Sequence, residues 1–330
     1  MIVVYIYKDG AVEKRELEAG KRIPKNTVWI DLIEPKPSEE KAIEKAMKVD
    51  MPTQEEMDKI EVKSPFYRLG NAYYMTATVL YRQDISYPDS TAVTFVITDT
   101  CLITLRYSRP RAFNNFNVLI RHNPGLAETP QTILEGLVES IVHRIADVLE
   151  TVGNELDELL KEVFEKESKY EVSPENSSEY YDGIIKRIGR IGNLISKNRE
   201  SLVSINRMLI FFSQMDNGKY MQKKEQRNKF KNLFREVHSL NEYVNFLSQR
   251  NSFLLDATLG MISVEQNKII KVFTVAAAVF MPPTLIASIY GMNFAKMPEL
   301  SWDLGYPMAI VMMLISAILP YLYFKKKGWL

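Results

Sequence analysis

Two long apolar runs near the end of the chain constrain everything else. Residues 272–290 and 304–324 contain no Asp, Glu, Lys, Arg or His, whereas 25% of the 330 residues are charged. Each run is close to the roughly 20 residues that an α-helix needs to cross a bilayer. A short loop joins them, and a large polar body precedes them. The layout predicts a membrane protein with two spans in hairpin arrangement.

Charge placement predicts the orientation. Lys268 and Lys271 precede the first run, and Lys325, Lys326 and Lys327 follow the second. The connecting loop offsets Lys296 with Glu299 and Asp303. Lysine-rich flanks stay on the cytoplasmic side, so both termini are expected there and the loop outside. Trp302, Tyr306, Tyr321, Tyr323 and Trp329 lie where interfacial aromatics lie. Residues 1–7 form an apolar stretch too short for a signal peptide.

The body ahead of the spans reads as two parts. Residues 1–125 form a cytoplasmic α/β domain with strands at 2–7, 28–33, 73–82, 92–98 and 102–106. Asp99-Thr100 is read as a hairpin turn, and a short helix with Ser38 as its cap runs to Lys48. Residues 126–218 form a helical hairpin. Ile133, Leu137, Ile141, Ile145, Val148 and Val152 mark one helical face, and residues 173–178 mark a break. No proline occurs from Gly218 to Pro282. Residues 219–290 therefore predict one helix of about 72 residues, about 108 Å long. Its first part, 219–271, is a stalk; 272–290 is the first span, 291–303 the outer loop, 304–324 the second span and 325–330 a basic tail.

Composition excludes several functions. A net charge of +1 gives no reason to expect nucleic acid. One cysteine, Cys101, rules out an intrachain disulfide, and three scattered histidines argue against a His-rich zinc or iron site. No phosphate-binding glycine loop and no catalytic constellation is present, so neither an enzyme nor an organic cofactor is expected. Trp29 and the tyrosines of the α/β domain read as core.

The first span carries the most informative spacing. Asn267, Ile270, Thr274, Ala277, Met281, Thr284 and Ser288 step by three and four, one seam of a heptad. Small and hydroxylated residues mark helix contact inside membranes. The seam is either the contact between the two spans or the lining of a pore formed by symmetric copies. A single chain has too few spans to enclose water.

Tyr290-Gly291-Met292-Asn293-Phe294, followed by Met297-Pro298-Glu299-Leu300, Gly305-Tyr306-Pro307 and Lys325-Lys326-Lys327, resembles the CorA family of divalent-cation transporters. The order of α/β body, helical pair, long helix and hairpin is similar too. The resemblance implies a funnel-shaped homopentamer whose first span lines the pore. It implies passive uptake of Mg²⁺, with Co²⁺ and Ni²⁺ as further cargo, into the cell across the cell membrane. Asn293 would form the outer selectivity ring, with Gly291 and Met292 shaping it. Asn267, Ile270, Met281, Thr284 and Ser288 match pore-facing positions. Asp256 matches the stalk acid of a regulatory Mg²⁺ site between subunits, with Asp84 as its first expected partner and Asp89 as its second. The zinc-transporting branch shares Gly-Met-Asn, but Met297-Pro298-Glu299-Leu300 favours the magnesium branch. A membrane-anchored sensor is the remaining alternative. An αL helix cap at Gly291 and Asn293 is a structural reading compatible with a filter.

Overall fold

The computed structural model describes residues 1–57, 65–82, 89–165, 174–215, 224–292, 297–298 and 302–329. They fall into two compact units, Met1–Leu255 and Asp256–Leu330.

The first unit is built on a seven-stranded sheet in the order β2-β1-β3-β7-β6-β5-β4. The strands are β1 (Ile2–Lys8), β2 (Ala11–Leu17), β3 (Thr27–Ile33), β4 (Phe66–Leu69), β5 (Ala72–Arg82), β6 (Asp89–Ile97) and β7 (Leu102–Arg106). All neighbours are antiparallel except β3 and β7, which run parallel with Trp29 opposite Leu102 and Ile33 opposite Arg106. Alternation along β3 divides the two faces of the sheet. Ile30 and Leu32 join Ile43, Met51, Met57, Tyr74, Cys101 and Ile103 in one core. Trp29 and Asp31 point the other way. There Trp29 stacks on Tyr5 at 4.1 Å and meets Phe113 and Phe116 of α2 (Arg111–His122).

The short helix α1 is Pro37–Met47. Its first turn is closed by Glu39, whose Oε2 accepts from Lys36 N at 2.8 Å, so Ser38 is not the cap. Lys48 ends it in the left-handed region, φ 55°. The expected turn at Asp99-Thr100 is present. Thr98 N donates to Cys101 O at 3.0 Å, and the Thr98 hydroxyl donates to the same oxygen at 2.8 Å.

Three long helices follow: α3 (Pro130–Glu165), α4 (Pro174–Met215) and α5 (Lys224–Tyr290). Reciprocal bonds between Thr129 and Thr132 fix the start of α3, Thr132 N to Thr129 Oγ1 at 3.2 Å and Thr129 N to Thr132 Oγ1 at 3.0 Å. The predicted face from Ile133 to Val152 is buried. Pro174 opens α4, so the break read at 173–178 is helical from Pro174 onward; Ser173 lies outside the described residues. Proline is tolerated there because the first turn has no intrahelical acceptor for its missing N–H. The first-unit part of α5 packs through Leu233, Val237, Val244 and Leu247. It approaches α3 so closely that a Cβ on Gly153 would stand 2.6 Å from the Tyr243 hydroxyl. Arg250 pairs with Asp157 across the same contact.

α4 covers the open side of β5. Ser201 Oγ donates to Thr78 O at 2.7 Å, and Thr78 N donates to Ser204 Oγ at 3.0 Å. Two hydroxyls thus satisfy the backbone of an otherwise unpaired strand edge.

The second unit contains the end of α5 and α6 (Gly305–Lys326). Both helices are long and apolar enough to cross a membrane. Pro282 and Pro283 lie within α5, and Pro320 within α6.

Candidate functional site

The seven seam residues share one face of α5. Asn267, Ile270, Thr274, Ala277, Met281, Thr284 and Ser288 are all exposed, Ile270 by 59% and Met281 by 68%. A different stripe is covered. Val275 is 4% exposed, and Ala278, Val279, Pro282, Pro283, Ile286 and Tyr290 are half-buried. At about 100° per residue, the seam centres on the opposite side of the helix from that stripe. On α6 Gly305 and Ala309 are covered, and Met308, Ile310, Met312, Met313, Ser316, Ala317, Pro320 and Phe324 are half-buried. The two most covered positions of α6 are small, and the seam of α5 lies among exposed positions, away from the covered stripe.

The threonines of the seam are chemically biased. Thr274 Oγ1 donates to Ile270 O and Thr284 Oγ1 donates to Phe280 O, both at 2.7 Å. Each hydroxyl spends its only hydrogen on its own helix. What it presents outward is an oxygen with lone pairs, an acceptor. Ala277 leaves the seam shallow between them. Ile270 and Met281 put bulky apolar groups at two levels.

α5 ends at Gly291. Gly291 N donates to Ala287 O at 2.9 Å, and Met292 N donates to Ile289 O at 3.3 Å. A Cβ on Gly291 would stand 3.1 Å from Ala287 O. The described glycines with positive φ are Gly10, Gly20, Gly70 and Gly328, so Gly291 is not an αL cap. Its requirement is close approach to the preceding turn. Met292 is exposed, and Asn293 lies outside the described residues.

The expected regulatory acids divide between the units. Asp256 opens the second unit, on an exposed position of α5. Asp89 starts β6 in the first unit, and its carboxylate is engaged locally. Oδ2 accepts from Tyr81 Oη at 3.1 Å, and Oδ1 from Ser90 N at 2.9 Å. Asp84 lies outside the described residues. Among the described residues, no group of three or more His, Cys, Asp and Glu side chains is placed to hold a metal ion.

Sequence reasoning placed Trp329 among the interfacial aromatics but missed its packing. Its ring lies 5.2 Å from that of Phe324, and Lys271 Nζ stands 6.0 Å from its centroid. The signal was Gly328 directly after a helix and before a large apolar residue.

Comparison with known proteins bears on this arrangement. A family model described as CorA-like Mg²⁺ transporter protein matches residues 24–326. The chain is 30% identical over 333 residues to the magnesium transport protein CorA of Escherichia coli (strain K12), covering 100% of both. It is likewise 30% identical to the protein of the same description from Salmonella typhimurium, again over 100% of both. Among solved structures, the CorA magnesium transporter of Methanocaldococcus jannaschii matches with a TM-score of 0.75 at 17% identity, covering 100% of this chain and 99% of that one. The cytoplasmic domain of ZntB from Vibrio parahaemolyticus matches with a TM-score of 0.52 at 12% identity, covering 79% of this chain and 97% of that one. At such identities these two structures speak to the fold alone, the first across the whole chain and the ZntB domain across 79% of it.

Proposed function

The chain belongs to the CorA-like Mg²⁺ transporter family, and from that premise we propose that it carries Mg²⁺ passively into the cell as a homopentamer, with the α5 seams around the path. The observation that carries this reading is the exposure of the whole seam on the side of α5 away from its covered stripe. A helix that merely anchored a soluble body would gain nothing from a face of amide, hydroxyl and small residues turned outward. Copies of the chain supply the walls that one hairpin lacks.

The chemistry suits a hydrated cation. Mg²⁺ releases water reluctantly and prefers oxygen ligands. Acceptor oxygens from Thr274 and Thr284 face the hydrogens of its hydration shell. A ring of Asn293 carboxamides at the outer end would do the same without the tight hold of carboxylates. Ile270 and Met281 are the apolar constrictions that stop flow when water leaves them. An inward-negative potential drives uptake, worth about 4.6 kcal/mol for a divalent ion per 100 mV. Co²⁺ and Ni²⁺ are further cargo of the same path. In this reading both termini are cytoplasmic. Mg²⁺ at Asp256, with Asp84 or Asp89 of a neighbouring copy, holds the pore shut when the internal concentration is high.

The test is uptake into liposomes by purified protein, wild type beside Asn293→Ala, with Mg²⁺, Co²⁺ and Zn²⁺ in parallel. Mg²⁺ uptake that stops or loses selectivity in the variant supports the filter. Zn²⁺ flux without Mg²⁺ flux moves the chain to a zinc carrier. No flux of any ion leaves a membrane-anchored sensor.

A further inference from the structure

We propose that the last turn of α6 and the foot of the α5 span form a site for the phosphate of an anionic phospholipid headgroup. The inference rests on reading α5 and α6 as membrane spans.

The C-terminal turn is a built structure. Gly328 takes a left-handed conformation, φ 71°. Lys327 N donates to Tyr323 O at 3.1 Å, and Trp329 N donates to Phe324 O, also at 3.1 Å. This six-to-one closure folds the chain back on the helix end, with Trp329 packed on Phe324 at 5.2 Å. The indole is thereby fixed at one place, half-buried. Two ammonium groups meet it there. Lys327 Nζ lies 4.9 Å from the ring centroid, and Lys271 Nζ, from the other helix of the hairpin, lies 6.0 Å from it. Lys327 also lies 5.8 Å from the Tyr323 ring.

Among the described residues, no carboxylate forms an ion pair with Lys271, Lys325, Lys326 or Lys327; the neighbouring acid Glu265 pairs instead with Lys268, at 3.4 Å. Both ammonium groups lie within 6.0 Å of one ring centroid, and an anion held beside that indole is attracted by both charges. A phosphate accepts several charge-assisted hydrogen bonds, and two ammoniums together with an indole N–H are donors only. Location selects the source of the phosphate. Lys271 directly precedes the first span and Lys327 directly follows α6, with Tyr321 and Tyr323 alongside. That is the level of the headgroups, where basic clusters beside a span attract anionic lipid.

The test is native mass spectrometry of the full-length protein purified in detergent and exchanged against an equimolar mixture of phosphatidylglycerol and phosphatidylcholine. Wild type retains phosphatidylglycerol in excess. Lys271→Gln with Lys327→Gln lowers the retained ratio by about tenfold, whereas Lys325→Gln with Lys326→Gln removes the same charge and lowers it far less. Trp329→Ala lowers it as well, and Trp329→Phe, which keeps the packing on Phe324, falls between. Equal effects of the two lysine pairs, or a wild-type ratio in Trp329→Ala, overturn the site in favour of diffuse attraction. Equal retention of the two lipids overturns it outright. Displacement of phosphatidylglycerol by excess inorganic phosphate overturns the lipid as the occupant. Should Trp329→Ala melt early, the two lysine pairs still decide. Retention is scored without any ion flux. A chain that holds phosphatidylglycerol but carries no Mg²⁺ loses the transport reading and keeps this site.

Discussion

Arg106 grips Asp31 with two parallel hydrogen bonds, Nε to Oδ1 at 3.0 Å and Nη2 to Oδ2 at 2.8 Å, inside a sheet that hides both side chains. Thr104 Oγ1 donates to Asp31 Oδ1 at 2.7 Å, and Trp29 Nε1 donates to Thr104 Oγ1 at 3.0 Å. The remaining guanidinium nitrogen, Nη1, donates to Ser108 O at 2.8 Å, and the guanidinium lies 4.5 Å from the Phe113 ring centroid. The pair ties β3 to β7, the one parallel contact in the sheet. Asp31→Ala leaves a buried cation alone and lowers the unfolding free energy by about 3–5 kcal/mol. Asp31→Leu with Arg106→Met removes both charges and costs much less. Thermal unfolding in detergent, single against double variant, measures the difference.

Gly291→Ala tests the end of α5. The added methyl would stand 3.1 Å from Ala287 O, so the last turn must give way. Mg²⁺ uptake falls by about tenfold or more, a barrier change of about 1.4 kcal/mol, while the melting temperature moves by only about 2 °C or less. A large drop in melting temperature assigns the glycine to folding instead.

A cysteine scan tests which face of α5 is wet. Cysteine at Thr274, Met281 or Ser288 reacts with a charged methanethiosulfonate and blocks uptake. Cysteine at Val275 or Ile286 does neither. The native background is clean because Cys101 is 1% exposed and burial pushes its thiol up to about 12. Equal labelling of both faces would remove the lining from α5.

The same thiol predicts alkaline sensitivity. Its folded pKa is raised from the ordinary 9.0 to about 12, so between those values the folded chain holds a proton that the unfolded chain releases. Stability from this group is complete below pH 9 and declines toward pH 12. Tyr67, pushed up to about 12 chiefly by burial, acts in the same direction above pH 10. Cys101→Ala flattens the decline by about 1.4 kcal/mol per pH unit. Melting curves across this range check it.

Asp256→Asn tests regulation. Loss of one carboxylate per site raises the internal Mg²⁺ needed to shut uptake by about tenfold. Uptake by Mg²⁺-loaded vesicles reads this directly, and an unchanged inhibition curve removes Asp256 from the mechanism.

Several elements were legible because their periodicity is strong. The face from Ile133 to Val152 and the seam from Asn267 to Ser288 follow from spacing alone. Three elements were not. β2 reads Ala-Val-Glu-Lys-Arg-Glu-Leu, and as an edge strand it carries charges where a central strand would carry apolar residues. β4 is four residues long. α2 contains Asn114, Asn115 and Asn117, poor helix formers that mask the spacing of Phe113, Phe116 and Ile120. The parallel pairing of β3 with β7 joins segments about seventy residues apart, a register that no local pattern encodes. At the site, spacing grouped the seam residues but could not say which side of α5 its neighbour covers. That depends on how α6 packs, with Met308, Met312 and Met313 half-buried beside the covered Gly305 and Ala309.

The adjacent prolines of α5 have a mechanical consequence. Pro282 and Pro283 carry no N–H, so the carbonyls of Ala278 and Val279 lack the helical donors four residues on. Two rungs are missing at one level, directly beside Met281. The span is less reinforced there, and bending at that level has two fewer hydrogen bonds to strain. If the seam lines a pore as proposed, widening beside Met281 proceeds by flexing this weakened joint, with the helix above and below it intact.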